Sequence, residues 1–206
     1  MPNQGELLKA IDRSRKRAGF LSLDELVALE DGGNVIFDPF STLISRRAVI
    51  GKHNVFHPNT RADCHGSATL HIGSGNMFHS NTVIEAAANA ITIGDGNLIG
   101  EGAVCMKANS PGAAIEIGDN GRYCGIVNLY GKIALGSGSQ VLGNITVFDC
   151  SLAAGQPYSH PIADERGAVL KGSGSAKAIH LSQGQVIDGW GIFRSEDALP
   201  QSSFHP

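Results

Sequence analysis

Three histidines stand at places where their chemistry could be used. His160 lies in Tyr158-Ser159-His160-Pro161, shortly before Arg166, in a stretch without regular apolar spacing that reads as a long loop. Loops on rigid scaffolds often carry sites, and an imidazole with its ordinary pKa of about 6.5 can take up a proton near neutral pH. His57 and His79 each directly follow a phenylalanine, Phe56 and Phe78. If those phenylalanines are equivalent in a repeat, the two imidazoles stack outward on one face and could share a metal ion with a third ligand. An outward pair at a subunit contact is the commoner use. His71 and His180 share a different repeated place and have no matched third ligand. Trp190, Tyr130 and Tyr158 could pack on a ligand ring, although plain packing is the more frequent role of such aromatics. Cys64, Cys105, Cys124 and Cys150 are widely spaced with no C-x-x-C pair, which excludes the usual zinc and redox motifs. They read as reduced thiols, three of them in or near the core.

What positions these residues is an internal repeat. Ile93-Gly94-Asp95-Gly96-Asn97-Leu98 is followed by Ile99-Gly100-Glu101-Gly102-Ala103-Val104, with an aliphatic residue recurring every six positions. Three such units make a triangular coil of about 18 residues, within the range of known repeat architectures. The register gives six coils, anchored at Ile50, Phe56, Ala62; Ile72, Phe78, Ile84; Ile93, Ile99, Cys105; Ile117, Tyr123, Leu129; Leu135, Val141, Val147; and Leu181, Ile187, Phe193. Every insertion then falls between the third anchor of one coil and the first of the next. A single short strand cannot bury its apolar side alone, but stacked coils bury one another's anchors. Gly, Asn and Asp at the corners accept the positive φ values that sharp turns need.

The remainder is assigned by elimination. Residues 1–33 read as a helical segment: Leu7, Leu8 and Ile11 share a helix face, Ser22-Leu23-Asp24-Glu25 is a capping box, and Gly32-Gly33 stops the second helix. Such a segment would cover the exposed edge of the stack. Arg13, Arg15, Lys16 and Arg17 are expected to form a solvated face. Residues 34–152 carry coils, 153–178 a loop excursion, and 179–206 the last coil with a polar tail.

Composition narrows the partners. Among 206 residues, 42% are hydrophobic and only 17% charged, with 27 glycines and a formal charge of −3. This argues for a turn-rich fold and against a nucleic-acid surface, which is usually basic. Met1 to Ala10 has no apolar h-region, and no stretch approaches the roughly 18 apolar residues of a membrane span. A cytoplasmic location, with neither nucleic acid nor membrane as partner, is the expectation.

The Ile-Gly-x-x-x-x pattern over roughly residues 44–193 resembles the hexapeptide-repeat transferases, which implies an all-β fold, the left-handed parallel β-helix. Handedness comes from the resemblance, since general crossover rules favour the opposite hand. The segment around Ser159-His160-Pro161, with Arg166 and a return strand at Ala178-Ile179-His180-Leu181, is similar to the excursion of maltose- and galactoside-type O-acetyltransferases. That likeness implies that His160 is the catalytic base. It also implies acetyl-CoA or another acyl-CoA as co-substrate, a small-molecule acceptor, no metal, and a homotrimer with sites between subunits. The family usually continues with two or three further coils after the excursion, where this chain shows one.

The expected activity is therefore O- or N-acyl transfer to a sugar, nucleotide sugar or small amine. Such transfer needs a base for the acceptor's proton and donors for the oxyanion. Two other readings stand beside it. A γ-carbonic-anhydrase-like metalloprotein would use His57 and His79, although the histidines that family places five apart in one coil are absent here. A non-catalytic trimeric β-helix scaffold would use none of these residues.

Overall fold

The computed structural model describes residues 3–204; the outermost residues of the N-terminal segment and of the expected tail lie outside the described range. The chain is mostly β, with a twelve-stranded and a seven-stranded sheet in which most strands pair across intervening segments rather than with their immediate neighbours. Nearly every pairing is parallel, the exception among named strands being Gln185–Ile192 with Leu199–Pro200. This is a parallel-stranded architecture compatible with a parallel β-helix.

The pairing register explains why the repeat folds. First anchors stack in one file: Ile50, Ile72, Ile93, Ile117, Leu135, Leu152 and Leu181 are successive partners. Second anchors form another, running Ile36, Phe56, Phe78, Ile99, Tyr123, Val141, Leu170 and Ile187. Third anchors run Ile44, Ala62, Ile84, Met106, Leu129, Val147 and Ala176. Nearly all are buried in one continuous apolar core. Phe56 and Phe78 stack with ring centroids 5.0 Å apart, an arrangement worth about 0.5–1.5 kcal/mol beyond area burial.

Two parts of this register differ from the sequence expectation. The third anchor after Ile99 is Met106, fully buried, while Cys105 is half-exposed. The pairing slips between Gly100 and Ala103, and Glu101 has φ 55°. One extra residue bulges there and moves the inward position along by one. The second difference is larger. Val169–Lys177, inside the expected 153–178 excursion, is a nine-residue strand paired with both Gln140–Phe148 and Gln185–Ile192. The irregular segment is correspondingly shorter and lies between Leu152 and Val169. It therefore opens between a first and a second anchor, not at the corner that carries the other insertions. Gly-Ser-Gly-Ser within this strand read as loop because its inner file holds only Leu170 and Ala176.

One corner is built from amides. Asn54 Oδ1 accepts from the Asn76 N–H at 2.9 Å, and Asn76 Oδ1 from the Asn97 N–H at 2.9 Å. The series begins with Asn34 Oδ1 accepting from the Asn54 N–H and closes with the Gly121 N–H on Asn97 Oδ1. All four asparagines are buried, so each side chain satisfies a corner N–H that water cannot reach. Another corner is built from glycine. Gly143 has φ 125°, and a Cβ there would collide with the carbonyl oxygen of Gly172 in the next rung.

The N-terminal segment holds two helices, α1 (Gln4–Arg17) and α2 (Leu23–Ala28), with capping boxes at Asn3/Glu6 and Ser22/Glu25. The expected solvated basic face is wrong for Arg15, which is only 5% exposed. Its guanidinium donates to the carbonyls of Leu21 at 2.7 Å, Pro39 at 3.1 Å and Thr42 at 2.7 Å. Leu7, expected on the packed face, is exposed, and Leu26 of α2 joins the main core instead. Among the described residues no helix is long and apolar enough to cross a membrane.

Candidate functional site

The segment between Leu152 and Val169 is irregular but tied to itself. Gln156 N–H donates to the Glu165 carbonyl at 2.8 Å, and Gly167 N–H returns to the Gln156 carbonyl at 3.0 Å. His160 sits in the turn this creates, its N–H on the Pro157 carbonyl at 2.9 Å. Arg166 Nε donates to the His160 carbonyl at 2.7 Å, fixing the backbone that carries the imidazole.

The ring itself faces two acceptors. Nδ1 lies 3.3 Å from the Ile162 carbonyl, and Nε2 lies 3.6 Å from Glu165 Oε2. With Nδ1–H donating to the carbonyl, Nε2 carries the lone pair and is the basic nitrogen. The carboxylate is just beyond hydrogen-bond range of Nε2. Of the acids near His160 in the chain, Glu165 is thus the one facing it. Asp164 instead accepts from Ser202, whose N–H and Oγ donate at 2.8 and 2.7 Å, and these bonds hold its carboxyl below the usual range. Asp149 accepts the Lys132 N–H at 2.7 Å.

Beside this segment, on the face of the second-anchor strands, is a cavity of about 280 Å³. Its floor is the stack, and Tyr158 with Phe204 contributes walls. Arg122 projects from the strand and places its guanidinium 4.3 Å over the Tyr158 ring. Arg166 and Lys171 also reach it. Sequence reasoning did not find this cavity, because its residues come from four rungs and from Gln201 and Phe204. Only Arg166 and Tyr158 had been singled out, and neither as part of a pocket.

His57 and His79 are stacked as the repeat requires, centroids 4.9 Å apart and planes 14° from parallel, with Phe37 above His57 at 4.8 Å. Burial, then the neighbouring His79, lowers the His57 pKa. His79 Nε2 is buried with no hydrogen-bond partner among the described residues. The stack continues to Gly100, which offers no side chain. Among the described residues no His, Cys, Asp or Glu completes a metal-sized cluster of three or more. The structure thus keeps these two histidines apart from His160 in the fold: they stack on Gly100, whereas His160 is held by the loop and Arg166.

His180 Nδ1 shares a hydrogen bond of 2.7 Å with Ser151 Oγ across paired strands. His71 pairs with Val49 and Thr92 in that same sheet. Trp190 is 83% exposed. The four cysteines are free, and burial pushes the Cys124 thiol up to about 11, which removes it as a thiolate nucleophile at neutral pH.

Compared with known proteins, the chain matches no family model. The search of curated proteins likewise returned no match.

Proposed function

We propose that the chain is an acyl-CoA-dependent acyltransferase acting on the oxygen or nitrogen of a sugar, nucleotide sugar or small amine, with His160 as general base. The observation that carries the reading is the disposition of the His160 ring. A carbonyl engages Nδ1, a carboxylate stands near Nε2, and the ring is half-exposed on a loop braced by Arg166. In the reaction the acceptor's O–H or N–H loses its proton to Nε2 as the heteroatom attacks the thioester carbonyl. The tetrahedral intermediate collapses with cleavage of the C–S bond, and the imidazolium returns the proton to the departing sulfur.

The finer architecture belongs to the same proposal. The coils wind left-handed, Leu152, Leu170 and Ala176 supply one coil more than the six read from sequence, and α1 with α2 caps the first. Arg15 supports the cap by binding carbonyls on both sides of that junction. Assembly is a homotrimer, the closed symmetry that buries one repeated patch; the exposed Trp190 and Ile192 support a covered face.

The test is thioester turnover with acetyl-CoA and a panel of sugars and amines. His160→Ala lowers the rate about 10²–10⁴-fold, the range for a lost general base, while circular dichroism stays unchanged. His57→Ala and His79→Ala remain close to the parent. A His160→Ala protein with full activity overturns the assignment.

A further inference from the structure

The cavity beside the His160 segment has a charge pattern that ordinary packing does not explain. Arg122, Arg166 and Lys171 converge on it against one carboxylate, Asp188. That carboxylate is already engaged by Lys171 at 2.9 Å, a pair open to solvent with Lys171 55% exposed. The two guanidiniums have no carboxylate partner among the described residues: Arg122 lies on the Tyr158 ring and Arg166 spends Nε on a carbonyl. Both are half-buried, so their remaining N–H groups have limited water to bind. A half-buried cation without a counter-charge is unfavourable unless something negative visits it. Gln140 adds a neutral donor. It is 6% exposed, lines the cavity, and makes no side-chain hydrogen bond among the described residues.

We infer that this cavity is a binding site for the anionic group of a small molecule, a phosphate monoester or a carboxylate attached to a compact body. Guanidinium groups match both anions, since their planar forks donate paired N–H bonds to two oxygens. The body of the ligand packs on Tyr158, Phe204 and the apolar flank of the strands. About 280 Å³ lies just under the roughly 300–1,000 Å³ of drug-sized pockets, so a nucleotide-sized carrier overfills it. Lys171 is neutralised within the protein, and Arg122 and Arg166 are the selecting groups. The assignment requires only binding and stands whether or not the chain transfers acyl groups.

Calorimetric titration of the full chain tests it with four probes: glucose 6-phosphate against glucose, and benzoate against benzyl alcohol. At least one anion binds, its neutral counterpart does not, and its affinity falls as salt is raised from 20 to ~300 mM because screening weakens charge recognition. Which anion binds separates phosphate from carboxylate. Arg122→Gln and Arg166→Gln each weaken that binding tenfold or more. The Arg122 guanidinium bonds no backbone carbonyl among the described residues, whereas Arg166 does, so the Arg122 variant melts within a few degrees of the parent and remains interpretable if Arg166→Gln unfolds. Removing the neutral pair as a whole, Lys171→Gln with Asp188→Asn, changes affinity less than threefold. Equal binding of the neutral partner, parent-like affinity in Arg122→Gln, or binding of coenzyme A with neither small anion bound overturns the inference.

Discussion

The imidazole of His57 lies flat on that of His79, 4.9 Å between centroids, so protonating both places two positive charges one rung apart. Burial and this neighbour hold the His57 pKa below its ordinary value. The unfolded chain, with a histidine pKa of about 6.5, then binds the proton more readily than the folded one. His57 therefore contributes stability that is fully present above about pH 6.5 and is lost as pH falls through its folded pKa. Chemical denaturation at pH 7.5, 6.5 and 5.5 shows a decline that His57→Asn reduces, and the His57 proton resonance titrates below 6.5. A resonance titrating above 6.5 contradicts this.

Arg15 predicts a second, larger effect. Its guanidinium satisfies three carbonyls from two separate chain segments, Leu21 just before α2 and Pro39 and Thr42 well after it. Arg15→Met keeps much of the stem's packing but strips those carbonyls of their donor. Each unsatisfied buried group costs about 1–3 kcal/mol, so the loss is at least about 2 kcal/mol in a urea titration. Arg17→Met, on the exposed side of the same helix, changes stability by about 0.5 kcal/mol or less.

The shifted register is open to a paired test. Met106→Asp buries an unpaired carboxylate and unfolds the protein or costs several kcal/mol. Cys105→Asp places its charge at the half-exposed outward position and costs about 1 kcal/mol or less. Leu170→Asp, fully buried in the parent, behaves like Met106→Asp. Should Cys105→Asp be the damaging one, the bulge at Glu101 is misplaced.

The asparagine corner gives a cooperative signature. Asn76→Ala removes the acceptor of the Asn97 N–H and the donor to the Gly94 carbonyl, a loss of about 2–4 kcal/mol. Asn97→Ala strips the Gly121 N–H in the same manner. Because the two side chains bond each other at 3.0 Å, the double variant costs less than the sum of the singles, with coupling of about 0.5 kcal/mol or more.

Much of this fold is written at the level of residue spacing, because a six-residue period with large aliphatic anchors leaves little choice of pairing. Phe56 over Phe78 and His57 over His79 follow directly from it. Spacing fails where the anchor is small or the period slips. Ala176 carries too little apolar surface to mark a rung, and one inserted residue at Glu101 is invisible when either Cys105 or Met106 fits inside. Arg15 was misjudged because a basic run on a helix usually solvates, and nothing local announces three carbonyls waiting across a turn. Also unread was the doubled Asn-x-Phe-His-x-Asn-Thr of residues 54–60 and 76–82, in which Thr60 and Thr82 each bond the histidine carbonyl three residues earlier at 2.7 Å. The cationic cavity has no linear signature at all. It exists only once Arg122, Arg166 and Lys171 are brought together by stacking.

The bonds from Gln201 to the Gly167 carbonyl and from Ser202 to Asp164 span 34 and 38 residues, whereas each rung finds its partner about one coil away. During synthesis the stack can zip up rung by rung as the chain emerges, each new strand settling on the one before. The wall formed by Gln201 and Phe204 cannot be placed until those residues leave the ribosome, when the rungs beneath are already laid down. Ligand competence thus comes after the rungs beneath it are laid down, and a chain arrested after Phe193 would have a nearly complete core and an open, unformed pocket.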